Sequence, residues 1–376
     1  MPRPYPAALR ARLTEVFRHD LDSPLNDAAF NDLALAVFGF QYEHVQPFAA
    51  YCRRRAITPD RVAHWTEIPA IPTAAFRQVA LTVDSPTDSM TRFRTSGTTQ
   101  GSEQRGVHHV PDLALYHEAM LPMFSGYLLP DGIRPAMISL IPHASQVPDS
   151  SLSHMVSYAA DRIAVDSGWF MDAESGLQEA QLETTLREWI AQDRPILMVG
   201  TSFAYVHWLD SLARRGVQFR LPERSRLMDT GGFKGKSRIV PENELRAAYH
   251  SQLGVRESHC INEYGMTELL SQFYDTTLRD VTMNRARSTI RLKRPAPWVR
   301  TRVVDPETLT PVQAGTVGIL QHFDLANLYS VVAVQTEDLG RMLETGFETL
   351  GRAPGAVPRG CSVAVDLLLQ AVKEGR

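Results

Sequence analysis

Cysteine is scarce. The 376 residues hold three, Cys52, Cys260 and Cys361, odd in number and unevenly spaced. Such a set suits reduced thiols in a cytosol better than a disulfide framework. No apolar run approaches the length of a membrane span, and the opening MPRPYPAALRARL has no apolar signal-peptide core. A cytoplasmic protein is therefore expected. An excess of one charge is missing as well: 39 basic residues stand against 42 acidic ones, a net charge of -3, with no long block of either sign. That removes the electrostatic footprint of a nucleic-acid or membrane-surface binder and leaves small molecules or proteins as partners. Internal repeats, low-complexity tracts and long linkers are also absent. What is present is an ordinary globular composition, 44% hydrophobic and 22% charged, enough for a large core and roughly two or three domains.

Apolar spacing predicts two N-terminal helices, one through Leu9, Leu13, Val16 and Phe17 and one through Phe30, Leu33, Leu35, Ala36 and Phe40. The rhythm then changes. Short apolar runs, PAMISLIP at 135–142 and PILMVG at 195–200, alternate with amphipathic helices at 174–192 and 203–216. SRLMDTGG at 225–232 adds a strand, followed by a helix opened by Pro241, a residue tolerated in a first turn. This alternation predicts an α/β fold with a parallel sheet and crossover helices. Beyond residue 275 the stretches STIRLKR, WVRTRVVDPETLTPVQAGTVGIL and YSVVAVQTEDLG predict antiparallel strands and hairpins. The expected division is a helical region 1–70, an α/β core 71–275, a β-rich subdomain 276–352 and a short tail 353–376.

Two stretches carry chemistry. TSGTTQGSEQRG at 95–106 contains no apolar side chain. Glycines let backbone amides converge on phosphate oxygens while hydroxyls add donors, although a plain surface turn has the same composition. INEYGMTELL at 261–270 groups an aromatic ring, a hydroxyl and a carboxylate, Tyr264, Thr267 and Glu268, which suits a purine, a phosphate oxygen and a magnesium ion. The competing reading makes Thr267 a helix N-cap.

In this order and spacing, TSGTTQG and then YGMTE resemble the adenylate-forming superfamily of acyl-CoA synthetases, nonribosomal adenylation domains and luciferases. DTGGFKGKSR at 229–238 resembles the glycine turn along the adenine and acyl pocket. TEDLGRM at 336–342 is similar to the family's ribose-binding aspartate, and LGR at 350–352 to the start of its hinge. Within the superfamily, the short length, the TGGFKG turn and RGCS at 359–362 look most like the acyl-protein synthetases of bacterial bioluminescence operons. The resemblance implies an adenylate-forming N-terminal domain, with mixed or parallel sheets, flanking helices and a small β subdomain. The family's usual C-terminal lid is expected to be truncated or absent, because only 24 residues, 353–376, follow Arg352. Lys373 is the one lysine after that point, and it carries no assignment as the lid lysine.

The resemblance further implies ATP and Mg2+ as cofactors and a carboxylic acid, by the family a fatty acid, as substrate. The acid becomes an acyl-adenylate and then a thioester on a protein cysteine. Thr95, Ser96, Gly97, Thr98, Thr99 and Gly101 would hold the β- and γ-phosphates. Gln100 interrupts the usual loop and no lysine closes it, which leaves Arg105 as the nearest positive charge. Thr267 would reach the α-phosphate and Glu268 the metal. Gly231, Gly232, Tyr264 and Gly265 would border the adenine, while Asp338 would take the ribose hydroxyls and Arg352 would stand at the hinge. Cys361 would receive the acyl group and pass it to an acyl-reductase or another acceptor protein. Asp338 also reads as a turn aspartate, and Cys361 as a core residue in a strand SVAVDLLL.

Alternatives remain at this level. An acyl-CoA or carrier-protein ligase lacking a lid would share these motifs, as would a nucleotide-binding subunit without catalysis. GTSFA at 200–204 sets Ser202 where a hydrolase nucleophile elbow would stand, which makes a thioesterase the rival class. It needs a later histidine, and after Asp229 only His250, His259 and His322 exist. In the acid-activating reading Ser202 lines the acyl pocket instead. GGFKGKS approaches a Walker A loop but has Thr230 where a glycine is required.

Overall fold

The computed structural model describes residues 6–87, 90–95, 105–231, 240–285, 290–352 and 359–374, the last segment with side chains from residue 363. The chain forms two compact units. One comprises residues 1–123, 266–272 and 293–376, and the other 124–265 and 273–292.

The second unit is built on the expected βα alternation. Its sheet runs in the order Phe273–Tyr274, Cys260–Tyr264, Arg226–Thr230, Ile196–Thr201, Ala136–Leu140, Asp166–Trp169. All neighbours are parallel except the antiparallel pair made by Phe273–Tyr274. The apolar runs become strands because both faces are buried: Ile196, Leu197, Met198 and Val199 have no exposed surface. Helix Ser202–Arg215 starts where the Thr201 hydroxyl accepts the Ala204 N–H and stops at Gly216, whose φ of 64° is open to glycine at little cost. Tyr205, Trp208 and Leu212 from this helix join Leu182, Leu186 and Tyr249 in one core cluster.

Arg226 lies fully buried in this unit. Its guanidinium donates to both Asp131 oxygens at 2.9 and 3.0 Å, to the Leu128 carbonyl at 2.9 Å and to the Arg224 carbonyl at 2.7 Å. Burial alone would raise the Asp131 carboxyl from 3.8, but the hydrogen bonds and charge of Arg226, helped by Arg224, outweigh it and hold the group at about 2. Folding thus depresses this pKa. Its contribution to stability is complete above the ordinary value and is lost as pH falls from near 4 toward 2. Arg226→Met removes one side of a buried pair and should cost about 3 kcal/mol or more in urea unfolding. It should also flatten that acid limb.

In the other unit, helices Ala7–Phe17 and Asp27–His44 appear where the apolar spacing places them. A five-stranded sheet has Ala333–Leu343 at its centre. Gly318–Asp324 pairs with it antiparallel on one side, with Val299–Val304 beyond, and Ile71–Pro72 (parallel) and Gly346–Arg352 (antiparallel) also pair with it. Phe17 packs on Trp298 at 4.9 Å between ring centres, and Trp65 on Phe323 at 4.9 Å. A hairpin of Thr91–Arg94 and Val107–Val110 carries the polar loop at its tip.

Two local expectations differ. Within STIRLKR the described residues make only an isolated bridge, Lys293 to Phe347. SVAVDLLL lies in helix Arg359–Glu374, not in a strand: Ala364, Leu368 and Ala371 are buried at helical spacing.

Candidate active site

The carboxylate and hydroxyl of the MTE stretch stand on a turn, not at a helix start. Met266 and Leu269 share a single backbone hydrogen bond of 3.2 Å, and the next helix begins only at Thr277. Thr267 therefore caps nothing. With so little backbone structure of its own, the turn is held by side chains from distant parts of the same unit. The His108 Nδ1 lies 2.8 Å from the Thr267 carbonyl oxygen. The Asn327 amide donates to the Glu268 carbonyl at 2.9 Å and accepts the Leu270 N–H at 3.0 Å. Asp324 accepts the Ser271 N–H at 2.9 Å and its hydroxyl at 2.8 Å, and the Trp298 indole donates to the same hydroxyl at 3.0 Å. Gln41, from the second helix, donates to the carbonyls of Asn327 and Leu328 and accepts the Val332 N–H. None of these four polar side chains has more than 1% of its surface exposed.

Glu268 itself is 7% exposed. Burial lifts its carboxyl from 4.5 to about 7, opposed by its own backbone N–H and by the charges of Arg77 and Arg352, and reinforced by Glu337. A buried acid raised this far, with cations at hand, marks a candidate functional group. His108 shifts the other way. Burial lowers it to about 4, so near neutrality the ring is uncharged, and its bond to a carbonyl requires the Nδ1–H tautomer. Asp324 is raised to about 6 by burial, against the hydrogen bonds from Ser271, Ala326 and Leu270.

The polar loop springs from a closed neck. Thr95 donates its N–H to the Gly106 carbonyl at 2.9 Å, and its hydroxyl accepts the Gly106 N–H at 2.9 Å. A Cβ at Gly106 would stand 3.0 Å from the Thr95 methyl, so this neck admits only glycine comfortably. The Arg105 guanidinium donates to the Thr95 carbonyl at 2.6 Å. Ser96, Gly97, Thr98, Thr99, Gly101 and Gly232 lie outside the described residues.

Asp338 is not a turn residue. It sits within strand Ala333–Leu343, directly opposite Arg352 in the ladder, with 3.9 Å from its carboxylate to the guanidinium; Glu337 lies 3.8 Å from the same group. In the other unit, Gly231 has a φ of 73° and accepts the Ser202 hydroxyl at 2.9 Å. Tyr264 ends its strand with its ring 5.8 Å from Phe273. Gly265 follows it, exposed. Cys361 occupies the third position of helix Arg359–Glu374.

The hydrolase reading loses its constellation. The Ser202 hydroxyl is engaged with the Gly231 carbonyl, while His250 bonds the Val255 carbonyl, His259 the Ser258 hydroxyl and His322 the Thr301 hydroxyl. Among the described residues no three His, Cys, Asp or Glu side chains form a metal cage. A single carboxylate fits an ion that arrives with phosphates, since Mg2+ keeps most of its ligands as water and substrate oxygen. His108, Asn327, Gln41, Arg77 and Glu337 escape the sequence reading. Only His108 carries a signal there, as the second residue after the Gly106 that closes the loop.

The fold is one found in solved ligases of low sequence identity. A 2-hydroxyisobutyryl-CoA ligase, solved with 2-HIB-AMP and CoA in the thioesterification state, superposes with a TM-score of 0.62 at 14% identity, over 89% of this chain and 72% of that one. An ATP-bound MatB from Rhodopseudomonas palustris matches at 16% identity and a TM-score of 0.48, over 72% of this chain; the chain spans 49% of its length. The first of these shares its α/β fold with this chain. The chain belongs to the family "acyl-protein synthetase, LuxE", which residues 19–369 match. A long-chain-fatty-acid–luciferin-component ligase of Aliivibrio fischeri is 21% identical over 367 residues, covering 90% of this chain and 88% of the relative. No helix among the described residues is long and apolar enough to cross a membrane.

Proposed function

We propose that this ligase activates a carboxylic acid with Mg-ATP and moves the acyl group to a protein cysteine, Cys361. The observation that carries the reading is Glu268: a buried carboxylate, raised to about 7, on a turn whose carbonyls are held from outside. A carboxylate oxygen of the acid attacks the α-phosphorus of ATP. The bond from that phosphorus to the bridging oxygen breaks, and pyrophosphate leaves. Negative charge grows on the phosphoryl oxygens, and groups fixed in advance lower the barrier most. Mg2+, if bound with the nucleotide, would supply charge neutralisation there. Glu268 would hold it and Thr267 would donate to the α-phosphate. The hydroxyls and amides of the loop, from Thr95 through Ser96, Gly97, Thr98, Thr99 and Gly101, would take the β- and γ-phosphates. Tyr264 would stack on the adenine beside Gly231, Gly232 and Gly265. Arg352, opposite Asp338, would steady that carboxylate against the ribose.

The 2-hydroxyisobutyryl-CoA ligase holds an acyl-AMP, which supports the first half-reaction here, and the Aliivibrio fischeri relative is named for a long-chain fatty acid, which supports such an acid as substrate. A reductase or other acceptor protein would then receive the acyl group. Pyrophosphate release with ATP and Mg2+ across acetate, 2-hydroxyisobutyrate, octanoate and palmitate tests the proposal. Palmitate or octanoate should give the fastest release, and no release with any acid would refute it.

The ribose assignment has its own test. Asp338→Ala should weaken ATP by about 1.5–3 kcal/mol for each hydrogen bond lost to the charged acceptor, and leave the KM for the acid unchanged. An unchanged KM for ATP would remove Asp338 from the nucleotide site.

A further inference from the structure

The turn that bears Thr267 and Glu268 has one internal backbone hydrogen bond, yet both residues' carbonyl oxygens are engaged. His108 reaches the first from a strand 159 residues earlier in the chain, and Asn327 reaches the second from 59 residues later. Two adjacent peptide planes gripped by two rigid, buried side chains have little freedom to rotate. The direction in which the Glu268 side chain leaves the backbone is set by those planes. His108 also stands in the hairpin strand Val107–Val110, two residues past the neck that closes the polar loop. One imidazole thus joins the base of that loop to the carboxylate turn. Its ring packs edge-on against Phe76 at 5.5 Å, beside Arg77, whose charge acts on Glu268. The remaining ring nitrogen, Nε2, is buried with no hydrogen-bond partner among the described residues. Leaving such a group unsatisfied is unfavourable. A residue selected only to fill space would be an apolar one, so the position is explained by its Nδ1 contact.

We propose that His108 is a positioning residue for the adenylation step, clamping the Thr267 carbonyl, with Asn327 on the Glu268 carbonyl, so that the Glu268 carboxylate is aimed at the nucleotide-borne magnesium ion. The proposal rests on the reading of Glu268 as the magnesium carboxylate. A clamp built on one carbonyl predicts that donor position matters more than donor type. An asparagine amide nitrogen lies near the site of histidine Nδ1, whereas a glutamine amide nitrogen extends to the site of Nε2. Both substitutes are polar and neutral.

The experiment compares wild type, His108→Asn and His108→Gln in two measurements. The first is the ratio of ATP affinity with Mg2+ to that with EDTA, by calorimetry. The second is kcat and KM for palmitate-dependent pyrophosphate release at limiting and saturating Mg2+. His108→Gln should lose most of the magnesium enhancement of ATP binding and about ten- to hundredfold in kcat, the scale expected when a reacting group is displaced by about an ångström. KM for palmitate should not change. His108→Asn should recover most of both. Equal behaviour of the two variants, or a fall in Tm with the magnesium enhancement intact, would overturn the clamp. If His108→Gln does not fold, Asn327→Asp, which removes the donor to Glu268 and keeps an acceptor for Leu270, must show the same magnesium defect. Wild type that binds Mg-ATP but releases no pyrophosphate would refute the proposed function, while the binding ratio still decides the clamp.

Discussion

Glu268→Gln is expected to lower pyrophosphate release by about a hundredfold or more while leaving the fold intact. The substitution keeps the shape of the side chain and removes the negative charge, so the proposed magnesium carboxylate is lost but the turn is not. Losing a single metal ligand or a single charge-stabilising group in an organised site costs on this scale. The fold survives because the contacts that hold the turn belong to backbone carbonyls and to Ser271, not to the Glu268 carboxylate. Stability should in fact rise at neutral pH. The carboxyl binds its proton more tightly folded, at about 7, than unfolded, at 4.5. Its contribution is therefore fully present below 4.5 and is lost as pH rises through 7. Glutamine avoids that loss, and Mg-ATP should offset it in the wild type. Activity follows the opposite sign: in the proposed role the ionised form binds the ion, so wild-type release should climb with pH through about 7, and the residual rate of Glu268→Gln should lack that limb. Stopped-time pyrophosphate assays from pH 5.5 to 8.5, with urea unfolding at the two ends, measure both. A variant that keeps the wild-type rate and limb would remove Glu268 from the chemistry.

Legibility in the sequence tracked the range of the interactions. The runs around 136–140 and 196–201 were readable because a buried parallel strand needs apolar residues on both faces, whatever its neighbours are. Helix Ser202–Arg215 announced itself by the amphipathic pattern of 203–216, and the structure ends it one residue earlier, at the left-handed Gly216. The C-terminal helix was ambiguous for a physical reason. Val363, Ala364 and Val365 alternate with no clear face over three residues, and only the later burial of Leu368 and Ala371 fixes the helical period. The motif residues could be found, but not what holds them. Gln41 braces Asn327 across 286 residues of chain, and a glutamine within a helix carries no mark of such a partner. The neutral state of His108 and the raised Glu268 follow from burial, which is a property of the assembled unit rather than of any local string. Asp338 lies in a stretch the sequence marks both as strand and as a possible turn, and the pairing of Asp338 with Arg352 decides for the strand.

Cys361→Ser should abolish a hydroxylamine-sensitive acyl label while leaving the first burst of pyrophosphate release largely intact. The two half-reactions use different nucleophiles. Adenylation needs the acid's own oxygen, so it proceeds without the thiol; transfer needs a thiolate to attack the acyl carbon and expel AMP, forming a thioester. The other two cysteines are poorly suited to that step. Cys52 and Cys260 are buried, and burial pushes each thiol up to about 12, against the smaller pull of Arg55 and Arg53 on the first and of Arg291 on the second, where Asp229 adds to the rise. At neutral pH neither offers a useful thiolate fraction. Cys361 stands instead at the third position of helix Arg359–Glu374. The far end of that helix is anchored: Leu368 and Ala371 are buried, Glu374 accepts from Arg54 at 2.5 Å, and Gln370 accepts from the same guanidinium at 2.9 Å. An anchored helix holds its N-terminal residue on a fixed base, which is consistent with the proposed role of Cys361 as acceptor. Incubation with ATP, Mg2+ and radiolabelled palmitate, followed by peptide mapping, should place the label on Cys361 alone. Palmitate on Cys52 or Cys260, or a label of undiminished amount in Cys361→Ser, would show that the acyl group leaves by another route.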